Sequence, residues 1–168
     1  MRAQRPNLLI AESRDFSPKA LSLLRLDFDV EALETDRRAL LSAVPAADVL
    51  WVRLRHRVDA EVMSAATNLK MIVSPTTGLN HIDQAEARKR GIKILSLRGE
   101  TGFLREVRAT AEMAVGLMLT LMRHIPEAVG HVKQGDWSRD RFKGYELTGK
   151  HIGIVGHGRL GRLVAGYL

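Results

Sequence analysis

The chain contains no cysteine. That absence removes disulfides, thiolate zinc sites and a cysteine nucleophile together, and it agrees with a reducing cytoplasm. Long hydrophobic runs are also missing. The longest, Met113 to Met122, is too short to span a bilayer, and Leu8 to Ala11, behind Arg2 and Arg5, is too short for the apolar core of a signal peptide. The reading is a soluble, cytoplasmic protein without a membrane partner. Acidic residues are outnumbered, 19 against 26 Lys and Arg, which sets the net charge at +7 and the pI near 10.2. Aromatic residues make up only 5%, and the basic groups Arg53-Arg55-Arg57, Arg88-Lys89-Arg90 and Arg139-Arg141-Lys143 lack the regular aromatic interleaving of a nucleic-acid surface. No zinc-finger or other nucleic-acid signature accompanies them. A solvated basic face suited to small anionic substrates is the preferred reading, and no nucleic-acid partner is assigned.

At 168 residues and 45% hydrophobic, the chain can bury one sizeable core. Short β-type runs alternate with helical ones. Strands are predicted over Asn7–Ala11, Phe28–Ala32, Val49–Val52, Met71–Val73 and Ile92–Leu95, the second weakly alternating, as at a sheet edge. Helices between them are announced by caps: Ser17 before Pro18, then Asp36, Asp59 and Asp83, with Gly91 closing the last. Five strands alternating with helices imply a doubly wound parallel sheet, for which the flavodoxin-like order is predicted.

In such sheets ligands bind beyond the carboxyl ends of the strands. Two places qualify: Arg53 with Arg55 and His56 after the third strand, and Ser74-Pro75-Thr76-Thr77-Gly78-Leu79-Asn80-His81 after the fourth. Backbone amides at Gly78 and Leu79 could hold a carboxylate, or the stretch is an ordinary loop in which Asn80 and His81 serve the turn.

Arg98-Gly99-Glu100-Thr101-Gly102 then breaks the pattern, and a helix running to Arg123 follows. Its Met113, Val115, Leu117, Met118, Leu119, Leu121 and Met122 leave almost no polar face, so burial between layers or domains is predicted. Pro126 starts another helix ending near Gly135, and a charged segment, 136–142, is expected to be pinned by Trp137 and Phe142.

The last stretch is the most informative. An apolar strand from His151 to Val155 leads into glycines spaced G-x-G-x-x-G at Gly156, Gly158 and Gly161, then into a helix with Leu160, Leu163 and Val164 on one face. This is the context a dinucleotide fingerprint requires: Gly156 for the tight turn, Gly158 for close approach of a pyrophosphate, Gly161 for helix–strand packing. The amides of Arg159 and Leu160, at the positive end of the new helix, would be the phosphate donors. The acidic ribose-binding residue expected about 20 positions further on lies past Leu168, so NAD and NADP are not distinguished.

The runs Thr77-Gly78-Leu79-Asn80-His81-Ile82-Asp83, Thr110-Ala111-Glu112, Gly135-Asp136-Trp137, Gly144-Tyr145-Glu146-Leu147-Thr148-Gly149-Lys150 and Gly153 to Gly161 together resemble the D-isomer-specific 2-hydroxyacid dehydrogenases, nearest the phosphoglycerate dehydrogenase branch. The resemblance covers most of the chain from about Val49. It implies a flavodoxin-like substrate domain over 1–103, connecting helices and linker over 104–149, and the first βα unit of a Rossmann cofactor domain from 150. It further implies that Gly78 and Leu79 give amides to the substrate carboxylate, that Thr77 lies near the nicotinamide, and that Arg53 faces an anionic substrate group in the cleft. The substrate implied is a small 2-hydroxy or 2-oxo acid, the cofactor NAD or NADP, and a homodimer the assembly the family commonly forms.

Two departures matter. The turn after the fifth strand lacks the family's Pro-Gly element, and the family's catalytic Arg, Glu and His all fall downstream of the fingerprint. No catalytic residue and no metal ligand is therefore assigned within these 168 residues: His81, His124, His151 and His157 do not replace the family's catalytic pair, and His151 and His157 are given structural roles. The 168 residues alone are expected to show no dehydrogenase turnover. The rival reading is a non-enzymatic, small-anion or NAD-responsive regulatory module.

Overall fold

Short apolar runs separated by capped helices fold as their spacing dictates in the computed structural model, which describes residues 5–168; Arg2 lies outside the described residues. The chain divides into two compact units, Met1–Glu100 and Thr101–Leu168.

The first unit is β1 (Asn7–Ile10), α1 (Pro18–Asp27), β2 (Asp29–Ala32), α2 (Arg37–Ala43), β3 (Val49–Trp51), α3 (Ala60–Ala65), β4 (Met71–Ser74), α4 (Gln84–Lys89) and β5 (Lys93–Ser96). All strand pairs are parallel and the order is β2-β1-β3-β4-β5, the flavodoxin-like arrangement. β2 takes the edge that its weak alternation suggested.

Each helix starts where a side chain satisfies its free N–H groups. Ser17 accepts from the Ala20 amide, Asp36 from Ala39, Asp59 from Val62, and Asp83 from Ala85 and Glu86. Alternate strand residues then sort to opposite faces. Leu9, Leu50 and Ile72 join Leu40, Val62, Met63 and Ala87 from α2, α3 and α4. Leu8, Ile10 and Val49 meet Phe16, Leu21 and Leu24 on the other side, where α1 lies, and the Phe16 and Trp51 rings meet edge to face at 5.2 Å. Complete burial of a side chain such as Leu50 contributes about 1.5–3 kcal/mol.

The second unit holds α5 (Thr101–Arg105), α6 (Ala109–Met122), α7 (Ile125–Lys133) and α8 (Arg159–Tyr167). α6 packs against α7 and α8. Three sequence expectations fail here. α6 is not sheathed: Met113 is 62% exposed and Leu121 77%, because its two neighbours cover only part of an all-apolar surface. The strand predicted over His151–Val155 forms no ladder. Strand geometry persists only where a neighbour takes up its N–H and C=O groups, and among the described residues none lies beside it, so Val155 is fully exposed and His151 is exposed rather than leading a buried strand. Of the two aromatics in the charged segment, only Phe142 is seated, its ring 5.2 Å from that of His131, while Trp137 is 87% exposed.

Gly144, which opens the run 144–150 of the resemblance, is fixed by packing. A Cβ on Gly144 would stand 2.2 Å from the Met122 carbonyl oxygen, the same oxygen that accepts the Tyr145 amide at 2.9 Å. This pins the linker to the end of α6.

Candidate functional site

The predicted site residues fall in two groups, one within each unit. In the first, β1, β3 and β4 end side by side, so the residues just beyond them share the carboxyl edge of the sheet. Glu12 follows β1 and is 3% exposed. Its Oε1 accepts the Arg53 backbone N–H at 2.8 Å and its Oε2 lies 3.8 Å from the Arg53 Nε. The Arg53 guanidinium also donates to the Arg14 carbonyl at 2.8 Å. Arg53 is thus gripped from two sides after β3. Arg55 pairs with Glu34, whose carboxyl is held below its ordinary value chiefly by the Arg14 backbone N–H and then by Arg55.

His56, beside Arg55, is structural. It is 4% exposed, and its Nε2 meets the Thr35 hydroxyl at 2.9 Å. That hydroxyl spends its one proton on the Ala11 carbonyl at 2.8 Å, so the imidazole must be the donor.

Beyond β4, residues 75–83 form a loop tied down at its far end. The Val58 amide donates to the His81 carbonyl at 2.7 Å and the Asp83 amide to the Val58 carbonyl at 2.9 Å. Leu79 points its side chain into the core, 6% exposed, while Gly78 and Thr77 are exposed. Among the described residues neither the Gly78 nor the Leu79 N–H has a partner, and a Cβ on Gly78 would meet nothing within 4 Å. Two free amides on a fixed loop, with open space beside the Gly78 Cα, can hold a carboxylate.

Sequence reasoning missed two features. One is Glu12, an acid directly after an apolar strand. The other is the set of hydrogen bonds linking His81, Ser74, Thr76 and Gly78. Burial pushes the His81 imidazole below its ordinary value, against a smaller raising effect of Glu12.

In the second unit, Gly156 has a φ of +92°, which the turn requires and side chains disfavour. A Cβ on Gly161 would stand 2.3 Å from the Gly156 carbonyl oxygen, so only glycine lets α8 pack on the turn. Gly158 caps α8 without a side-chain bond, and its carbonyl takes the Arg162 amide at 3.0 Å. The preceding amides, of Arg159, Leu160 and Gly161, have no partner among the described residues. A Cβ at Gly158 would meet nothing within 4 Å, so the open approach and the free donors fit a pyrophosphate. The Arg159 side chain turns elsewhere, donating to the Leu104 and Val107 carbonyls at 2.9 and 2.8 Å. Beside α8 a cleft of about 600 Å³ has Arg105, Arg108, Arg159 and Arg162 in its lining against the single acid Glu106, so its charge near these amides is net positive.

One His–carboxylate pair occurs in this unit: His131 Nδ1 lies 3.5 Å from Asp136. Its Nε2 is buried with no partner among the described residues and its ring packs on Phe142, so it anchors the linker rather than facing a ligand.

Comparison with known proteins agrees with both halves. Residues 8–135 match the family described as D-isomer specific 2-hydroxyacid dehydrogenase, catalytic domain, and residues 115–168 match the NAD binding domain of the same family. Hydroxypyruvate reductase of Thermotoga maritima is 39% identical over 140 residues, covering 83% of this chain and 44% of that protein. D-3-phosphoglycerate dehydrogenase of Mycobacterium bovis is 37% identical over 161 residues, covering 95% and 29%. A crystal structure from Polaromonas sp. JS6 66, assigned to the D-isomer specific 2-hydroxyacid dehydrogenases, superposes with a TM-score of 0.83 at 32% identity, covering 97% of this chain and 51% of that one. The chain spans about half or less of the length of these relatives. With a flavodoxin-like sheet, a free amide pair beyond β4 and a fingerprint turn in the order the family prescribes, the chain belongs to the D-isomer specific 2-hydroxyacid dehydrogenase family.

Proposed function

We propose that this chain forms the substrate domain, and the entry to the cofactor domain, of an NAD(P)-dependent dehydrogenase acting on the CH–OH group of a D-2-hydroxy acid, resembling phosphoglycerate dehydrogenase. The observation that carries the proposal is the pair of free amides at Gly78 and Leu79, fixed beyond β4 in a chain of this family. In this reading the substrate domain runs over 1–103, connecting helices and linker over 104–149, and the cofactor domain from 150.

The Gly78 and Leu79 amides hold the substrate carboxylate, and Arg53 supplies positive charge to a further anionic group. Thr77 lies at the nicotinamide end. The amides of Arg159 and Leu160 bind the pyrophosphate, with Gly156, Gly158 and Gly161 shaping its approach. A bound nicotinamide supplies the hydride acceptor for C2. The departing hydroxyl proton needs a general base. His56 and His81 are each committed to a hydroxyl, so neither takes that role, and the base is expected from the family's residues downstream of the fingerprint. A homodimer and a cytoplasmic location belong to the same proposal. The exposed apolar side chains of α6 offer a surface a second copy could bury. Among the described residues no helix is long and apolar enough to cross a membrane.

The test is oxidation of D-3-phosphoglycerate, D-glycerate and D-lactate, with NAD and with NADP, by the protein as its natural source produces it. Substrate-dependent nicotinamide reduction supports the proposal. Its absence with all three acids, from a protein that binds cofactor, would favour the regulatory module.

A further inference from the structure

His81 has no part in that assignment: it is half-buried, on the same loop as the free amides, and not a base. Three hydrogen bonds connect it to the Gly78 carbonyl. His81 Nε2 lies 3.1 Å from Ser74 Oγ, Ser74 Oγ lies 3.0 Å from Thr76 Oγ1, and Thr76 Oγ1 donates to the Gly78 carbonyl at 2.7 Å.

The direction of this chain is fixed by proton count. A carbonyl only accepts, so the Thr76 proton points at the Gly78 oxygen. Thr76 Oγ1 has no second proton and must accept from Ser74. Ser74 must then accept from His81, whose Nε2 therefore carries hydrogen. Ser74 is 1% exposed, which leaves no room for water to take over its part.

The carbonyl at the end of the chain belongs to the peptide unit whose N–H is that of Leu79. Donation to a peptide oxygen polarises the whole unit and strengthens its N–H as a donor, and successive hydrogen bonds reinforce one another. The same bond fixes the peptide plane, and with it the direction in which the Leu79 N–H points.

We propose that His81 is a positioning residue: through Ser74 and Thr76 it orients and polarises the Gly78–Leu79 peptide, so that the Leu79 N–H is presented to the substrate carboxylate. The relay rests on the reading of Gly78 and Leu79 given above, but its existence is independent of substrate. Burial keeps the imidazole neutral near neutral pH, so the Nε2–H tautomer, rather than the imidazolium, is the working form.

Nuclear magnetic resonance on the 15N-labelled chain tests it with three proteins: wild type, Thr76→Val, which keeps the shape and deletes the hydroxyl, and Thr76→Ser, which restores it. In wild type and Thr76→Ser the His81 nitrogens are expected to report the Nε2–H tautomer. In Thr76→Val the Leu79 amide proton is expected to move upfield, and the affinity for sodium oxalate, a dicarboxylate probe, to fall about 3- to 10-fold, with recovery in Thr76→Ser. An Nδ1–H tautomer in wild type, or a Leu79 amide unmoved by Thr76→Val, overturns the relay. If the Leu79 amide moves as expected but oxalate perturbs neither Gly78 nor Leu79 in wild type, the relay is supported and the carboxylate assignment fails.

Discussion

The Glu12 carboxylate accepts the backbone N–H of Arg53 at 2.8 Å and stands 3.8 Å from its guanidinium. One acid therefore fixes both the main chain and the side chain of Arg53, two residues beyond the end of β3 at the carboxyl edge of the sheet. Glu12 is 3% exposed and Arg53 is only partly covered, so the pair joins a buried acid to a cation that still faces solvent.

Removing that acid should separate its two functions. Glu12→Gln keeps an oxygen for the Arg53 amide and is expected to cost less than about 1 kcal/mol of stability. Glu12→Ala leaves the amide unpaired and is expected to cost about 1–3 kcal/mol. Urea unfolding of the three proteins measures the difference.

The fingerprint glycines should fail in different ways. Gly158→Ala places its methyl in open space at a φ of −79°, so the fold should tolerate it while NAD affinity drops. Gly161→Ala drives a methyl to within 2.3 Å of the Gly156 oxygen and should cost about 1–3 kcal/mol in addition to cofactor affinity. Calorimetric titration with NAD, paired with urea unfolding, distinguishes them.

Arg159 should act as a structural cap through its side chain. Arg159→Ala deletes two charged hydrogen bonds to the Leu104 and Val107 carbonyls and is expected to destabilise Thr101–Leu168 by about 1.5–3 kcal/mol. Arg159→Lys, with a point charge in place of a fork, should recover only part of this. Hydrogen exchange over Thr101–Val107 reads the loss directly.

Acid should weaken the first unit through identifiable carboxylates. Lys70 and then the Asn7 amide hold Asp48 below its ordinary value of 3.8. For Asp59, burial acts upward, but the Arg37 guanidinium and the Val62 amide outweigh it and the net shift is downward. A carboxyl whose folded-state value is depressed stabilises the fold above its ordinary value, and that contribution is lost as pH falls through the folded value. Stability is therefore expected to decline as pH drops below about 4, with each exposed pair contributing about 1 kcal/mol or less. Asp48→Asn should flatten part of that decline, as measured by urea midpoints between neutral and acid pH.

The parts of the fold legible in the sequence are those decided within one turn of chain. Ser17, Asp36, Asp59 and Asp83 reach amides two or three residues away, and each starts a helix where its residue type says it should. Gly156 and Gly161 meet each other across five residues. The β–α alternation also sufficed for the parallel sheet, because right-handed crossovers leave few topologies to choose from.

What the sequence hid is set by how the chain folds back on itself, over long or short separations. Glu12 acquires its role from a residue 41 positions away, and nothing beside it in the chain announces that partner. His81 reads as a turn residue until β4 and its loop bring Ser74 and Thr76 beneath it.

Composition, caps and the glycine spacing by themselves determined the α/β class, the five strands and the fingerprint turn, because each rests on short-range geometry that few residue types satisfy. Tertiary structure alone decided that, among the described residues, His151–Val155 has no strand beside it and α6 keeps an exposed apolar face, because a strand or an apolar helix is completed only by what packs beside it. It also decided which way the protons run from His81 to Gly78, because that direction depends on the loop after β4 folding His81 back onto Ser74, seven residues earlier.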